Sequence, residues 1–324
     1  MKLKVVSVKL EGAVMRFLLR SADASPLPPY EAGAHIALRL NLPGVGEVSR
    51  AYSLVDWHRA GSAPASYEIG VLLEPAGRGG SRWIHEHLRE GADITIDGPR
   101  NAFALDPSAG PVRLVAGGIG ITPLLAMARA CVARRRAFSL NYYTRGMDAS
   151  AFLDEVAQLS SARSGADVRI RHGFAPRQVV EDLQSALAAP EENAHVYVCG
   201  PQGLMDAVAR ICSAQGWRDS QLHSERFAAP PVQTVDGGFV VHLARSNRQL
   251  RVESGVSLLE TLQAGGCPVT SSCGCGVCGS CIVPVLSGAI DHQDAFLSDG
   301  DRAEGRLMCA CVSRAQGETL VLDL

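Results

Sequence analysis

No stretch of this sequence approaches the eighteen or so consecutive apolar residues of a membrane span, so no spanning helix is expected. The opening MKLKVVSVKL alternates like a strand where a signal peptide carries a continuous apolar core, and the expected compartment is the cytoplasm. An excess of one charge is missing as well: 31 Lys and Arg against 33 Asp and Glu leave a net charge of −2. That balance gives no electrostatic footprint for nucleic acid. The one basic run, Arg134 to Arg136, reads as a solvated helix end. The nine histidines form no H-E-x-x-H or H-x-x-E-H pair, and no Ser-His-Asp set can be placed, which excludes the familiar hydrolytic arrangements. Internal repeats and low-complexity tracts are absent too.

What is present is cysteine in a pattern. Ten in 324 residues are too sparse for the disulfide framework of a short secreted chain. Their spacing is more informative: Cys273, four residues, Cys278, two residues, Cys281, then twenty-nine residues to Cys311. This is the C-x4-C-x2-C…C run of plant-type iron–sulfur proteins. Three thiolates from one tight loop must wrap a two-iron cluster. Gly274, Gly276 and Gly279 remove side chains that would hold the backbone off, and they allow N–H groups to turn towards an anionic centre. Zinc stays open at this level, because Cys275, Cys278 and Cys281 also form two overlapping C-x2-C units. Cys131, Cys212 and Cys267 sit in apolar or helical settings and read as unreactive fillers.

The length predicts two or three domains. Short alternating runs over the first hundred residues, broken by glycine and proline, predict a small antiparallel β-barrel with one helix at 81–89. From about Gly110, strand and helix patterns alternate, which predicts a doubly wound parallel sheet whose ligands lie at the C-terminal strand ends. The stretch AAPPVQTVD reads as a linker. A hairpin, a short helix capped by Ser257, the cysteine loop and a final apolar strand follow. The expected domains are 1–105, 106–228 and 237–324, with a linker over 229–236.

Three further patterns carry chemistry. In Arg50-Ala51-Tyr52-Ser53, an arginine suits phosphate, a tyrosine ring a flat heterocycle and a serine its edge. Gly77-Arg78-Gly79-Gly80-Ser81 opens a helix and so offers free N–H groups to a phosphate. Together they point to a phosphorylated flavin. Gly117-Gly118-Ile119-Gly120-Ile121-Thr122-Pro123 joins strand to helix and lets a pyrophosphate or ring approach the backbone, although a tight turn that needs glycine for packing is the alternative. Cys199-Gly200-Pro201 lies at the same sheet edge, where Cys199 either faces ligand or is a buried small hydrophobe.

R-A-Y-S, G-R-G-G-S, G-G-I-G-I-T-P, V-Y-V-C-G-P and the cysteine run, in that order, resemble the phthalate dioxygenase reductase family, which includes reductases of vanillate and related O-demethylases. Further matches are H-S-E-R-F at 223–227, D-H-Q-D and F-L-S-D at 291–299, and C-V-S-R at 311. The resemblance implies an FMN barrel, an NADH-binding α/β domain and an α+β, β-grasp plant-type ferredoxin domain. It assigns Arg50, Tyr52 and Ser53 to FMN, with Gly80 and Ser81 at its phosphate, and Thr122 between flavin and nicotinamide. Phe227 is expected beside the isoalloxazine, and Gly117, Gly118, Gly120, Arg145, Cys199, Gly200, Pro201 and Met205 along the NADH site. Thr122, Cys199 and Phe227 are the expected catalytic set, which controls the approach of the nicotinamide, and Cys273, Cys278, Cys281 and Cys311 the expected 2Fe-2S ligands. Three departures stand out: Leu73 replaces a basic residue frequent in relatives, and Cys275 and Cys309 add thiols beside the ligand set.

A hydride donor and a one-electron cluster need a flavin between them. The implied function is therefore an NADH-dependent reductase that passes single electrons to a Rieske-type oxygenase acting on an aromatic or similar substrate. The alternatives are an FAD-dependent NAD(P)H reductase of another monooxygenase system and a non-enzymatic electron-carrier or redox-sensing module. No membrane or nucleic-acid partner is expected.

Overall fold

A computed structural model describes the chain except for residues 58–61, 76, 78, 109, 162–165, 189, 228–237, 272–273, 277–278 and 295. The expected linker and the candidate ligands Cys273 and Cys278 lie outside the described residues. The chain divides into two compact units, one of residues 1–47 and 51–225, the other of residues 48–50 and 226–324. Among the described residues no helix is long and apolar enough to cross a membrane.

Six strands make the first sheet: β1 (Lys2–Glu11), β2 (Val14–Ser21), β3 (Ala34–Leu42), β4 (Gly46–Ser53), β5 (Tyr67–Leu72) and, after helix α1 (Gly80–His87), β6 (Asp93–Asn101). Their order is β4-β3-β6-β1-β2-β5, and a bridge from Leu54 to Ile69 ties the two ends of that order together into a barrel. The period-two pattern places the side chains. Leu3 and Val5 of β1 and Ile94 and Ile96 of β6 are buried, whereas Lys2, Lys4, Asp93 and Thr95 between them face water. Each such buried aliphatic side chain contributes about 2 kcal/mol.

The alternating part follows as β7 (Val112–Gly117), α2 (Ile121–Ala133), β8 (Phe138–Thr144), α3 (Leu153–Ser161), β9 (Asp167–His172), α4 (Pro176–Ala186), β10 (His195–Cys199), α5 (Gln202–Gln215) and β11 (Leu222–Glu225). The sheet is parallel throughout, in the order β11-β10-β7-β8-β9. Covered on both faces, its inner strands are buried without alternation: every residue of β8 is buried, and β10 is buried from Val196 to Cys199, whereas the edge strand β9 alternates Val168 and Ile170 with charged residues. Strand order reverses between β7 and β10, and the crevice at their C-terminal ends is where such sheets bind ligands.

An ion-pair knot joins barrel strands to α3. Arg16 of β2 pairs with Glu11 of β1 at 2.8 Å, and with Glu68 of β5 and Glu155 of α3 at 2.5 Å each. Its guanidinium lies 4.3 Å from the centre of the Phe152 ring, and Phe152 N–H donates to Glu11 Oε2 at 2.9 Å.

In the second unit, β12 (Phe239–Leu243) and β13 (Arg248–Val252) form the expected hairpin. In α6 (Leu258–Ala264) the predicted cap is present: Glu260 N–H donates to Ser257 Oγ at 3.1 Å, and Ser257 N–H to Glu260 Oε2 at 3.0 Å. Then come β14 (Ile282–Ser287), β15 (Ile290–Asp291), α7 (Asp299–Glu304), β16 (Leu307–Cys309), β17 (Arg314–Ala315) and β18 (Thr319–Leu322). The sheet runs β13-β12-β18-β14-β16 with β12 and β18 parallel, and β15 pairs β17 separately. Leu258, Leu259 and Leu262 of α6 pack into its core with Phe239, Val241, Val283 and Leu320, a β-grasp arrangement. The short α7 was not anticipated, although Ser298 caps it through Asp301 in the same reciprocal way as Ser257.

Arg16 is the cation shared by three carboxylates, so Arg16→Met is expected to lower stability by about 3 kcal/mol in urea unfolding at pH 7.

Candidate functional site

The ends of β7 and β10 meet backbone to backbone. A Cβ added to Gly117 would come within 2.7 Å of Pro201 Cδ and Leu204 Cδ2, and one on Gly200 within 2.8 Å of Gly117 Cα. A Cβ on Gly120 would run into the Cys199 carbonyl. These three glycines are thus required by packing between the two turns. Gly118 differs: its φ of 53° is left-handed, and nothing lies within 4 Å of where its Cβ would be. Of the glycines expected at NADH in this turn, Gly118 is the one open to a ligand.

Side chains around the crevice are equally constrained. Thr122 is buried and its hydroxyl donates to the Ile119 carbonyl at 3.0 Å, while its methyl lies towards Gly70. Cys199 is wholly buried, and burial, with the Glu225 charge second, pushes its thiol pKa well up. Met205 is buried in the core beside Val115 and Tyr143, which gives it a packing role. Pro201 and Arg145 are exposed.

Sequence reasoning missed Glu225. It ends β11 in register with Cys199 and is buried, which pushes its pKa up to about 8. The Ser53 hydroxyl acts on it in the opposite direction, but the two fall outside hydrogen-bond geometry. Ser53 Oγ and Glu225 Oε2 therefore stay buried with no hydrogen-bond partner among the described residues. The one signal available was the E of H-S-E-R-F, two residues before Phe227.

These features fit a flavin phosphate. Two orphaned buried polar atoms suit the heteroatom edge of a ring. At α1, Gly79 is left-handed with a φ of 80° and gives no side-chain cap, so the first amides of the helix stay available to an anion. Ser81 Oγ accepts from Glu74 N–H at 3.0 Å, which fixes the approach to that turn. Tyr52 is half-buried. In the second unit, Arg50 is half-buried and donates to the Ser49 carbonyl at 2.9 Å, and Phe227 is 43% exposed.

The cysteine loop also belongs to the second unit. Cys281 and Cys311 are buried, and Ala310 N–H donates to the Cys281 carbonyl at 3.1 Å, bringing the late segment to the loop. Hydrogen bonds from Cys309 first, and Cys311 next, draw the Cys281 thiol pKa down to about 3. This donor set, ready to hold a thiolate, fits an iron–sulfur cluster. A Cβ on Gly279 would meet the Phe296 ring at 2.5 Å, and one on Gly276 would meet Val312 at 2.6 Å; both glycines have positive φ. Cys275 donates its thiol to the Arg226 carbonyl at 3.2 Å, an engagement of its own.

Comparison with known proteins agrees with this geometry. Residues 241–316 match the model of the 2Fe-2S iron-sulfur cluster binding domain, and residues 114–210 that of the oxidoreductase NAD-binding domain. The chain is 42% identical to the phenoxybenzoate dioxygenase subunit beta of Ectopseudomonas oleovorans, over 96% of this chain and 93% of that one. It is also 42% identical to a vanillate O-demethylase oxidoreductase of Pseudomonas sp. (strain HR199 / DSM 7063), over 94% and 93%. Identity to the heme-dependent oxidative N-demethylase beta subunit of Ectopseudomonas mendocina is 39%, over 99% and 98%. Among solved structures, phthalate dioxygenase reductase, described as a modular structure for electron transfer from pyridine nucleotides to [2Fe-2S], superposes with a TM-score of 0.77 at 37% identity, over 100% of this chain and 98% of that one. The chain belongs to the phthalate dioxygenase reductase family and is an NADH-dependent flavin and iron–sulfur oxidoreductase.

Proposed function

We propose that this chain is the reductase component of a two-component Rieske-type oxygenase. It takes hydride from NADH and delivers single electrons to a partner acting on an aromatic or similar substrate. The observation that carries the reading is that one chain holds both a switch-point crevice with two orphaned polar atoms and a glycine-rich thiol loop. The oxygenase names of the relatives support an oxygenase as acceptor, and the motif resemblance supports the Rieske type. A second reading, a haem-containing acceptor, is favoured by the heme-dependent relative.

Arg50, Tyr52, Ser53, Gly80 and Ser81 would hold FMN, with Phe227 beside its ring. Gly117, Gly118, Gly120, Arg145, Cys199, Gly200, Pro201 and Met205 would form the NADH site, some by contact and some by shaping its floor. Cys273, Cys278, Cys281 and Cys311 would hold the cluster. When bound, FMN exchanges electrons in pairs or singly, and the cluster exchanges them singly. The chain's own residues do the rest. Gly118 lets the nicotinamide end approach the backbone. Thr122, its hydroxyl committed to Ile119, offers a fixed methyl surface. Glu225 carries a proton on its buried carboxyl at neutral pH, next to Ser53, and so presents a donor where an ionised acid would repel negative charge. Buried Cys199 keeps water from the floor of the crevice.

Purified protein should be red-brown, release FMN on acid treatment, contain iron and bleach with NADH. Colourless zinc protein would overturn the cluster assignment, and extracted FAD the flavin assignment. Turnover reconstituted with Rieske and haem oxygenases in parallel separates the two acceptors.

Glu225 provides a pH test. Its folded pKa is raised above the unfolded value, so the folded state binds the extra proton and stability falls as pH rises from about 4.5 to about 8. Glu225→Gln should flatten that fall and gain stability at pH 8 while slowing NADH-dependent bleaching. Unchanged pH dependence would show that Glu225 is ionised in the fold.

The cluster ligands are tested by absorbance and iron content. Cys311→Ser should abolish the cluster and Cys309→Ser should spare it; the reverse result would exchange their roles.

A further inference from the structure

Beyond the short strand β15 the chain turns through His292 and Asp294 and comes to lie against the cysteine loop. A Cβ on Gly276, between the first two expected cluster ligands, would stand 2.9 Å from Asp294 Cα and 3.1 Å from Asp294 Cβ. The Asp294 side chain is fully buried and firmly held. Leu297 N–H donates to its Oδ2 at 2.9 Å, Phe296 N–H to the same oxygen at 3.2 Å, and Ser313 Oγ to Oδ1 at 3.1 Å. Burial works to raise its pKa, but the hydrogen bonds from Leu297 and Ser313 and the Arg302 charge outweigh it and hold the carboxyl below the usual range, as an anion.

His292 is the unsatisfied member of the group. Its side chain is only 11% exposed, and neither ring nitrogen has a hydrogen-bond partner among the described residues. Nδ1 lies 3.5 Å from Asp294 Oδ1, near enough for an ion pair but out of hydrogen-bond geometry. Burial without a partner is costly, so the ring gains most from a state in which it can donate to Asp294. The other charged groups of these elements are already engaged. Arg302 of α7 donates to the Asp294 carbonyl at 2.6 Å and stands 3.9 Å from Asp294 Oδ2 and 3.8 Å from Asp299 Oδ1. Asp291 of β15 accepts from Gln293 Nε2 at 2.7 Å, and Arg314 of β17 donates to the Val256 and Glu253 carbonyls at 2.8 and 3.3 Å. Histidine is the side-chain type in this set suited to change charge between about pH 5 and 8.

A 2Fe-2S cluster gains one negative charge on reduction, and its potential follows the charge and hydrogen bonding around it. Asp294 sets a fixed anion against the loop, which opposes the incoming electron. A protonated His292 offsets that anion. We infer that His292 and Asp294 couple reduction of the cluster to proton uptake: as one electron arrives from the flavin, one proton from solvent adds to the His292 imidazole, and the imidazolium pairs with the Asp294 carboxylate. Charge balances, electron against proton, and reoxidation by the acceptor returns the proton to solvent. The inference rests on the cluster reading and adds to it the pair that makes the cluster potential depend on pH.

The test follows the EPR signal of the reduced cluster through redox titrations of the holoprotein between about pH 5 and 8. In wild type the midpoint potential should fall as pH rises, because the proton that favours reduction becomes scarce; a tenfold coupling corresponds to about 59 mV over that range. His292→Gln should give a flat potential near the wild-type alkaline value. Asp294→Asn should raise the potential at every pH and reduce the slope. Both effects are read on the cluster itself, and a merely structural role would not level the slope while leaving the signal. If either variant fails to assemble the cluster, the other decides together with wild type. A flat wild-type potential, or a slope that survives undiminished in either variant, would overturn the coupling. Dithionite-reduced protein without a cluster signal would instead refute the cluster reading, and the coupling with it.

Discussion

The site depends on one contact, the meeting of two backbone turns at the ends of β7 and β10. Gly117 and Gly120 on one side and Gly200 on the other approach too closely for any Cβ, so the floor of the crevice is main chain. Main chain has no rotamers to rearrange, so backbone packing sets the floor of the crevice opened by the reversal of strand order. The same contact buries Cys199. Through the parallel register of β10 and β11, it also sets Glu225 at the same depth. A carboxyl that would ionise freely on a surface is thereby held as a neutral acid.

A second constraint links the barrel strands to the nucleotide-binding part inside the first unit. Arg16 gathers Glu11, Glu68 and Glu155 and lies on Phe152, whose own φ of 60° is unusual for a residue with a side chain. The Phe152 ring fills the space above Gly70, next to the methyl of Thr122. The desolvated cation therefore does more than hold strands: it fixes the ring that Thr122 packs near. Replacing it with an apolar residue would strand three acids, which is why such a knot resists gradual change.

Much of this architecture was legible in the sequence because it rests on local signals. The cysteine spacing, the glycine turns, the Ser257 cap and the change from strand runs to strand–helix alternation all lie within a few neighbouring residues. The Arg16 knot was not legible, since its acids come from positions 11, 68 and 155 and look like ordinary surface charge in each local window. Glu225 escaped for a similar reason: only strand register places it against Cys199. Gly117, Gly120 and Gly200 are a subtler case. Approach by a ligand and approach by another turn both require the absence of a Cβ, and the sequence does not distinguish them. Met205 shows the converse, where a helical position matched to a family role is occupied by a core side chain.

The cysteine loop shows how far spacing alone can reach. Cys275 is set apart by its own bond to the Arg226 carbonyl, a distinction that no count of intervening residues would make. Cys309 and Cys311 resist such sorting. Both are buried, and both thiols interact with Cys281. Cys309 closes β16 opposite Ile282, inside the core, whereas Cys311 follows in the turn beyond the strand. A ligand must be able to adjust to a cluster that the sheet itself does not hold. A turn residue has that freedom and a laddered strand residue does not, so the fold favours Cys311 for a reason independent of the motif around it.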